Sequence, residues 1–237
     1  MPALLGMDPI NNILALEDLG HASDYTHLYG MRTKLTANEI KSLAVYLTNL
    51  HHSFYKENLD DEFQNIEMRT LNHQHIFAYP FMEDNGFNLD NVQDGLQEVA
   101  GPYKSDNELK DIILNVGKLY LSKGHYLLHG DFYPGSWLKG ENGLKIIDPE
   151  FCFYGPFEFD LGVMMAHLIM TRHEDHVIED LYNHYTPRES INKSHLHWFT
   201  GIEIMRRLIG LAQLPLALDL NEKKELLRYA RQLILTN

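Results

Sequence analysis

Two short apolar stretches that each run into acidic residues constrain this chain more than any other feature. Residues 125–131 predict a strand that leads into the loop His129-Gly130-Asp131, and residues 144–148 predict a second strand that ends at Asp148, two positions before Glu150. Strand alternation would place Asp148 and Glu150 on the same side. Carboxylates that share one cleft repel one another unless a cation joins them, and Mg²⁺ prefers such oxygen ligands. The sequence therefore predicts a metal-binding cleft between two loops.

The sequence around these strands has helical spacing. Thr36 and Glu39 form a Ser/Thr-x-x-Glu capping box ahead of apolar residues at helical intervals, and Ser105 and Glu108 predict a second box before another helix. Further helical patterns cover residues 157–172, 190–213 and 221–235, residues 56–104 are less regular, and residues 13–16 predict a short buried strand. We therefore expect an α+β fold, in which a mostly helical body carries a small β insert with the two loops.

Charge and composition exclude several classes of protein. The 237 residues include 20 Lys and Arg against 33 Asp and Glu, and the resulting net charge of −13 argues against a general nucleic-acid binder, which needs a basic surface. Cys152 is the single cysteine, so neither a disulfide framework nor a cysteine-rich zinc site is expected. The N-terminus does not resemble a signal peptide, and no apolar run approaches the ~20 residues of a membrane span. We expect a cytoplasmic protein with no nucleic-acid or membrane partner.

The order of the polar residues is typical of phosphoryl transfer. Kinases combine a His-x-Asp motif, a polar residue five positions after its aspartate, and a later strand that ends in aspartate. In this chain those positions are Asp131, Ser136 and Asp148. In such enzymes the first aspartate accepts the proton of the acceptor hydroxyl, while the other two residues hold metal. The two elements together are a much stronger indication than the short motif alone.

The same residues resemble a known family. His129-Gly130-Asp131 with Gly135-Ser136, and Ile147-Asp148-Pro149-Glu150-Phe151 running into Phe159-Asp160-Leu161-Gly162, are similar to the aminoglycoside phosphotransferase and choline kinase superfamily, and within it to the methylthioribose kinases. Residues 204–212 extend the likeness. The Asp-x-Glu motif and a serine where most of the superfamily has asparagine favour the sugar kinases. The resemblance implies a protein-kinase-like fold and transfer of a phosphoryl group from ATP, with Mg²⁺, to a hydroxyl of a small molecule such as a sugar.

The resemblance also implies roles for individual residues. Asp131 would be the catalytic base or would orient the acceptor hydroxyl, and Asp160 would be a buried carboxylate that braces the catalytic loop. His129 is expected to brace the loop rather than to bind metal. The other implied roles are Mg²⁺ binding by Asp148 and Glu150 with Ser136 as a weaker contact, adenine contact by the hinge Leu16, Glu17, Asp18 and Leu19, and substrate binding by Arg206 and Arg207. Because neighbours on a helix point about 100° apart, at most one of the two arginines is expected to face a given pocket.

The chain departs from the family pattern before the hinge. Kinases of this fold place a Gly-rich loop, a strand lysine and a helix glutamate there. Few residues precede Leu16, and neither Gly-x-x-x-x-Gly-Lys-Ser/Thr nor Gly-x-Gly-x-x-Gly occurs in the sequence. We therefore expect residues 1–20 to be the end of an N-lobe strand with the hinge, and residues 21–237 to be a kinase-like C-terminal lobe. Residues 132–134 and Trp137 also differ from the sugar-kinase pattern, which leaves the acceptor open.

Other interpretations of the same residues stay open. A kinase remnant that cannot hold ATP would act as a small-molecule binding module, and a metal-dependent phosphohydrolase would use the same carboxylates on water. The histidine pairs His173/His176 and His195/His197 suggest zinc, but no His-Glu-x-x-His motif supports it, and solvated surface histidines are the preferred interpretation. Homodimer formation is left open as well.

Overall fold

Helices make up most of the protein in a computed structural model, which describes residues 1–31, 33–59, 63–141 and 143–236. Nine α-helices lie within these residues: α1 (His27–Met31), α2 (Ala37–Ser53), α3 (Ile66–His73), α4 (Leu96–Lys104), α5 (Asn107–Leu121), α6 (Glu158–Met170), α7 (Asp175–His184), α8 (Lys193–Ile209) and α9 (Leu220–Leu235). The capping box at the start of α2 is present, since the Thr36 hydroxyl accepts the Glu39 N–H and the Glu39 carboxylate accepts the Thr36 N–H.

Short antiparallel strands bring the two acidic loops together. The strands are β1 (Leu4–Asp8), β2 (Ile13–Leu16), β3 (Ser23–Asp24), β4 (Tyr126–Leu128), β5 (Trp137–Gly140), β6 (Gly143–Ile146) and β7 (Phe153–Gly155). They pair as β1-β2, β3-β5-β6 and β4-β7. Leu128 lies opposite Phe153, and Trp137 lies opposite Ile146. The loop between β4 and β5 and the turn between β6 and β7 therefore meet at one end of these pairs.

The packing of α6 against α8 forms the centre of the core. Nearly all of α6 is buried, as is α8 from Phe199 to its last residue. A Cβ added to Gly162 of α6 would lie only 2.7 Å from the Phe199 Cβ, so glycine permits the close approach of the two helices. No helix in the described residues is long and apolar enough to cross a membrane. The centre of the fold therefore fixes the relative positions of residues on α6 and α8.

Three local expectations are wrong. Residues 13–16 do form a strand, β2, but all four are exposed, because β2 pairs only with β1 and no other element covers the hairpin in the described residues. Asp106 rather than Ser105 caps α5, since its carboxylate accepts the Leu109 N–H while the Ser105 hydroxyl donates to the Gly101 carbonyl. His173 is buried instead of solvated, and its Nε2 accepts the Leu35 N–H.

Glu39 is expected to make the stability of this fold depend on pH. Its carboxylate accepts hydrogen bonds from the Thr36 N–H, the Tyr25 hydroxyl at 2.7 Å and the Lys139 Nζ at 3.0 Å. Burial raises the pKa of Glu39, but these hydrogen bonds outweigh it and lower the pKa from 4.5 to about 2. Because the folded chain then binds fewer protons, this stabilisation is present above about pH 4.5 and is lost as the pH falls towards 2.

Urea unfolding of the unaltered chain and Glu39→Gln between about pH 3 and 7 measures this effect. The difference in unfolding free energy is expected to reach at most about 3 kcal/mol near neutral pH and to shrink as the pH falls. Replacement of the exposed Glu98 of α4 with glutamine is the control. A difference between Glu39→Gln and the unaltered chain that stays constant over this range would show that the Glu39 pKa is not lowered by folding.

Candidate active site

A buried carboxylate fixes the backbone of the His129-Gly130-Asp131 loop. Asp160, in the first turn of α6, accepts the His129 N–H on Oδ2 at 2.7 Å and the Gly130 N–H on Oδ1 at 3.0 Å. The His51 Nε2 lies 3.2 Å from the same Oδ2, and neither the His51 nor the Asp160 side chain is exposed. A charged acceptor satisfies two buried backbone donors here, which would otherwise be costly to leave unpaired. The loop is therefore held from the helix behind it.

The His129 side chain joins the two acidic loops. Its Nε2 lies 2.9 Å from the carbonyl oxygen of Ile147, which directly precedes Asp148. The ring is buried and meets Phe132 edge to face. The imidazole therefore connects the Asp131 loop to the turn after β6, and it does not face solvent.

Two arginines from α8 hold one oxygen of Asp131. The Nη2 atoms of Arg206 and Arg207 donate to Asp131 Oδ1 at 3.2 and 3.3 Å. Their side chains are only 4% and 7% exposed, compared with 21% for Asp131. Within the described part of the chain, the hydrogen bonds to this carboxylate all end at Oδ1. Oδ2 is therefore the oxygen left to meet a ligand.

The two guanidinium groups converge, contrary to the expectation that only one arginine would face a given pocket. Both arginines are long enough to bend from adjacent helix positions towards the same carboxylate. Arg206 is held further by its Nη1, which donates to Asn72 Oδ1 at 3.4 Å, and Asn72 Nδ2 donates to the Gly130 carbonyl at 3.0 Å. The arginine pair thus supports the loop from α8 and lies largely behind Asp131.

The Asp148 and Glu150 carboxylates lie on an exposed turn. Asp148 adopts a left-handed conformation with φ 59°, and the one-turn 3-10 helix Pro149–Phe151 follows it. Both acidic residues are exposed. The Asn65 amide fixes the turn by donating to the backbone oxygens of Glu150 and Cys152 at 2.7 and 2.8 Å. The two carboxylates are therefore presented to solvent by a backbone that is itself held in place.

The structure does not gather the carboxylates as tightly as expected. No group of three or more His, Cys, Asp or Glu residues in the described ranges is close enough to hold a metal ion. Asp148 and Glu150, on either side of Pro149, still suit Mg²⁺, which is commonly held by one or two carboxylates while water and phosphate oxygens complete its shell. The residues present therefore fit a metal bound jointly with a phosphorylated ligand.

Tyr133, on the same loop as Asp131, packs against α6 and α8. Its ring faces the Arg207 guanidinium at 4.9 Å and is 5.6 Å from the His167 ring. Burial, followed by the nearby negative charge of Asp131 and a smaller contribution from Asp148, raises the pKa of Tyr133. The ring therefore lies against Arg207 and His167, within electrostatic reach of both carboxylates.

Ser136 and the hinge already make contacts within the protein. The Ser136 side chain is buried, and its hydroxyl donates to the Asp131 backbone carbonyl at 2.9 Å. The Glu17 N–H is taken by the Ala3 carbonyl, and Glu17, Asp18 and Leu19 line a pocket of only about 30 Å³ beside β5 and β6. The hinge residues therefore lie beside the β5-β6 hairpin, next to a small pocket that is open to solvent.

Several residues of the site carry no motif in the sequence. Glu203 is buried between the two arginines, with Oε1 accepting the Arg207 Nε–H at 2.8 Å and Oε2 lying 2.7 Å from Arg206 Nε. His167 and Tyr29 lie behind Glu203. The spacing of Glu203 three and four residues before the arginines is a signal from which its ion pairs could have been predicted.

Part of the sequence matches a known protein family. Residues 82–195 match the family described as "Phosphotransferase enzyme family". A methylthioribose kinase of Bacillus pumilus is 26% identical over an alignment of 255 positions, gaps included, which covers 90% of this chain and 63% of that enzyme. The chain therefore spans less than two thirds of the length of this relative.

Two solved structures share the fold over most of the chain. A choline/ethanolamine kinase family protein of Mesorhizobium loti has a TM-score of 0.53 at 15% identity, covering 99% of this chain and 73% of that one. A spectinomycin phosphotransferase in its AMP-bound complex has a TM-score of 0.51 at 16% identity, covering 94% and 72%. These matches confirm the α+β, protein-kinase-like fold expected from the sequence. Together, the comparisons show a match to the phosphotransferase family over residues 82–195, sequence similarity to methylthioribose kinases, and the fold that the two solved structures share.

Proposed function

We propose that this protein is an ATP-dependent small-molecule kinase that transfers a phosphoryl group to a substrate hydroxyl. The observation that carries the proposal is the state of Asp131: one carboxylate oxygen is held by two arginines, and the side chain remains 21% exposed. Such an aspartate, on a loop braced by Asp160 and joined by His129 to a second acidic turn, matches the positioning that phosphoryl transfer requires. The methylthioribose kinase homology supports a sugar of that type as acceptor.

The proposed reaction assigns each chemical task to a named group. Asp131 Oδ2 accepts a hydrogen bond from the acceptor hydroxyl and takes its proton as the acceptor oxygen bonds to the γ-phosphorus of ATP. The bond from that phosphorus to the bridging oxygen breaks, and ADP leaves. Arg206 and Arg207, which lie behind Asp131, place positive charge near the transferred phosphoryl group. Mg²⁺ on Asp148 and Glu150 would offset the charge of the nucleotide phosphates.

The same proposal assigns the first 20 residues to the nucleotide side of the protein. Residues 1–20 would be the end of an N-lobe strand unit with the hinge, and residues 21–237 the C-terminal lobe. The β1-β2 hairpin exposes several large apolar residues, and large apolar patches on a protein surface commonly mark contact sites. These residues therefore support the interpretation of the hairpin as a contact surface. Leu16, Glu17, Asp18 and Leu19 would meet adenine across the hinge edge, and the AMP-bound neighbour with the same fold supports a nucleotide there.

Ser136 is proposed as a weaker contact to the metal. The Ser136 hydroxyl already closes the Asp131 loop, so any contact with metal would be made through water.

Homodimer formation stays a prediction, and sedimentation velocity at several protein concentrations checks it.

One experiment separates this function from its alternatives. Calorimetric titration with Mg-ATP is followed by assays of ATP consumption with and without a panel of sugars and amino alcohols. A kinase binds Mg-ATP and consumes it only when an acceptor is present. Failure to bind Mg-ATP would indicate the binding module, whereas consumption without acceptor would indicate the phosphohydrolase.

Loss of the Asp148 carboxylate is expected to weaken Mg²⁺ binding selectively. In Asp148→Asn the Mg²⁺ concentration for half-maximal phosphotransfer should rise by about tenfold or more, because the amide oxygen is a neutral ligand. Glu150→Gln should have the same direction of effect. Glu179→Gln, on exposed α7, is the control. Unchanged Mg²⁺ dependence in both site variants would show that these carboxylates do not bind the metal.

A further inference from the structure

A buried series of hydrogen-bonded and ion-paired side chains connects Tyr29 of α1 to Asp131 through the core. The Tyr29 hydroxyl lies 2.6 Å from His167 Nδ1, and His167 Nε2 lies 3.0 Å from Glu203 Oε1. Glu203 contacts the Nε atoms of Arg206 and Arg207, whose Nη2 atoms reach Asp131. Of these side chains, only that of Asp131 is appreciably exposed. This series of side chains therefore ends at Asp131, the one member of the series that can touch a ligand.

The direction of each hydrogen bond follows from the chemistry of the groups. Burial raises the pKa of Glu203, but the charges of Arg206 and Arg207 outweigh it and hold the pKa well below its usual range. The ionised carboxylate can only accept, so His167 Nε2 carries the proton and donates to it. Burial lowers the pKa of His167, so the ring is neutral and its Nδ1 is an acceptor. The Tyr29 hydroxyl therefore donates to His167.

This arrangement uses opposite parts of the two guanidinium groups for different purposes. Arg207 Nε–H donates to Glu203 Oε1 at 2.8 Å, whereas Arg206 Nε lies 2.7 Å from Glu203 Oε2 without hydrogen-bond geometry, so that contact is an ion pair. The Nη2 atoms of both arginines donate to Asp131 Oδ1. A planar guanidinium has donors in fixed directions, so the hydrogen bond at Arg207 Nε also fixes where its Nη2 points. The charges of the two arginines are matched by the two carboxylates, which makes this buried cluster neutral overall. Glu203 thus sets the orientation of Arg207 and the charge balance of the arginine pair.

We propose that Glu203 is a positioning residue for phosphotransfer, which orients Arg207 on Asp131 by a hydrogen bond, holds Arg206 there by charge, and is itself held by the Tyr29–His167 pair. The inference rests on the proposed function, because Asp131 is the group whose position matters. Glu203 is 1% exposed and cannot reach a substrate. It acts only by keeping Asp131 Oδ1 occupied and Oδ2 aimed outward.

The test is Glu203→Gln, assayed for kcat and for the KM values of nucleotide and acceptor. We expect kcat to fall by roughly 10–100-fold, as is typical when an outer group that orients a site is lost, while the KM values change much less. Glu203→Asp, which restores the charge, should recover part of kcat. A crystal structure of Glu203→Gln should show the Nη2 atoms displaced from Asp131 Oδ1. Tyr29→Phe, a milder change at the far end of the chain, should lower kcat several-fold and leave both KM values unchanged.

The control is Glu158→Gln, which removes another buried carboxylate of the core. Glu158 lies on α6, is 5% exposed and accepts the Asn192 N–H at 3.0 Å, with no contact to the arginine pair. A Glu203→Gln protein that folds and keeps the kcat of the unaltered chain would overturn the inference, as would an equal loss of kcat in Glu158→Gln. If Glu203→Gln does not fold, Tyr29→Phe decides: an unchanged kcat overturns the inference.

The two proposals fail in different ways. Absence of phosphotransfer by the unaltered chain with every acceptor would overturn the proposed function. The crystal structure of Glu203→Gln would then still test whether Glu203 positions the arginines. Arginines that stay within about 3.5 Å of Asp131 Oδ1 without the Glu203 charge would overturn that positioning role.

Discussion

Asp131→Asn is expected to lower the kcat for phosphotransfer by about three orders of magnitude, within the range of about 10²–10⁴ seen when a general base is lost. The asparagine amide keeps the shape of the side chain, and its oxygen can still accept from Arg206 and Arg207. It cannot take up the proton of an acceptor hydroxyl. The loss should therefore appear in kcat, with little change in the affinity for Mg-ATP. The thermal midpoint of unfolding should also fall, because one of the two carboxylates that balance the buried arginines becomes neutral.

Asp106→Asn provides a matched control for the removal of an arginine-paired carboxylate. Asp106 caps α5 and its Oδ2 accepts from Arg231 Nε at 2.9 Å, on elements that carry none of the site residues. Asparagine can also cap a helix, so this variant should keep both fold and activity. If Asp131→Asn phosphorylates the acceptor as fast as the unaltered chain, the catalytic assignment of Asp131 is wrong.

Most of the helices that the sequence predicts have a strong signal at their start; α6, which begins without a side-chain cap, is predicted from its helical pattern alone. The helices α2, α5, α8 and α9 each begin at a residue whose side chain accepts a backbone N–H of the first turn. The helices α3, α4 and α7 begin without such a side-chain cap, and α4 contains Pro102. Two of these three fall in the segment 56–104, where the pattern is less regular. Tertiary packing rather than local preference forms these helices.

The residues of the site also divide into those with a local sequence signal and those without one. Asp131, Asp148 and Asp160 belong to local motifs, and their loops are brought together by strand pairing and by the Asp160 hydrogen bonds. The Tyr29–His167 contact joins residues 138 positions apart, and the Asn72–Arg206 contact joins residues 134 positions apart. No spacing along one sequence reports such contacts, because they depend on how α6 and α8 pack.

Burial is the property that the sequence predicted least well. The apolar residues 13–16 were expected inside, yet all are exposed, while the polar residues His167, Glu203 and Arg206 are inside. An apolar run states only that burial would be favourable, and the neighbouring elements decide whether it occurs. Polar groups become buried where partners satisfy them, as the arginine–glutamate contacts do here.

Gly130→Ala is expected to be among the most damaging single substitutions in the chain, with a loss of about 3–5 kcal/mol of unfolding free energy from backbone strain and overpacking together. Gly130 has φ 84°, and a Cβ at this position would lie 2.1 Å from the Phe151 carbonyl oxygen. The neighbour is backbone, so no side-chain rotation relieves the clash. Either the Asp131 loop or the turn that carries Asp148 and Glu150 would have to shift, and activity should fall with stability.

Gly143→Ala separates the two causes of this loss. Gly143 has φ 95° and a Cβ there meets nothing within 4 Å, so alanine at this position carries the backbone strain without the clash. It should cost about 1–2 kcal/mol and leave phosphotransfer unchanged. The difference between the two variants, measured by urea unfolding, isolates the cost of pushing the loops apart. Equal losses for the two would mean that the Asp131 loop and the Phe151 turn can separate freely, and the joint fixing of the two acidic loops would then not hold.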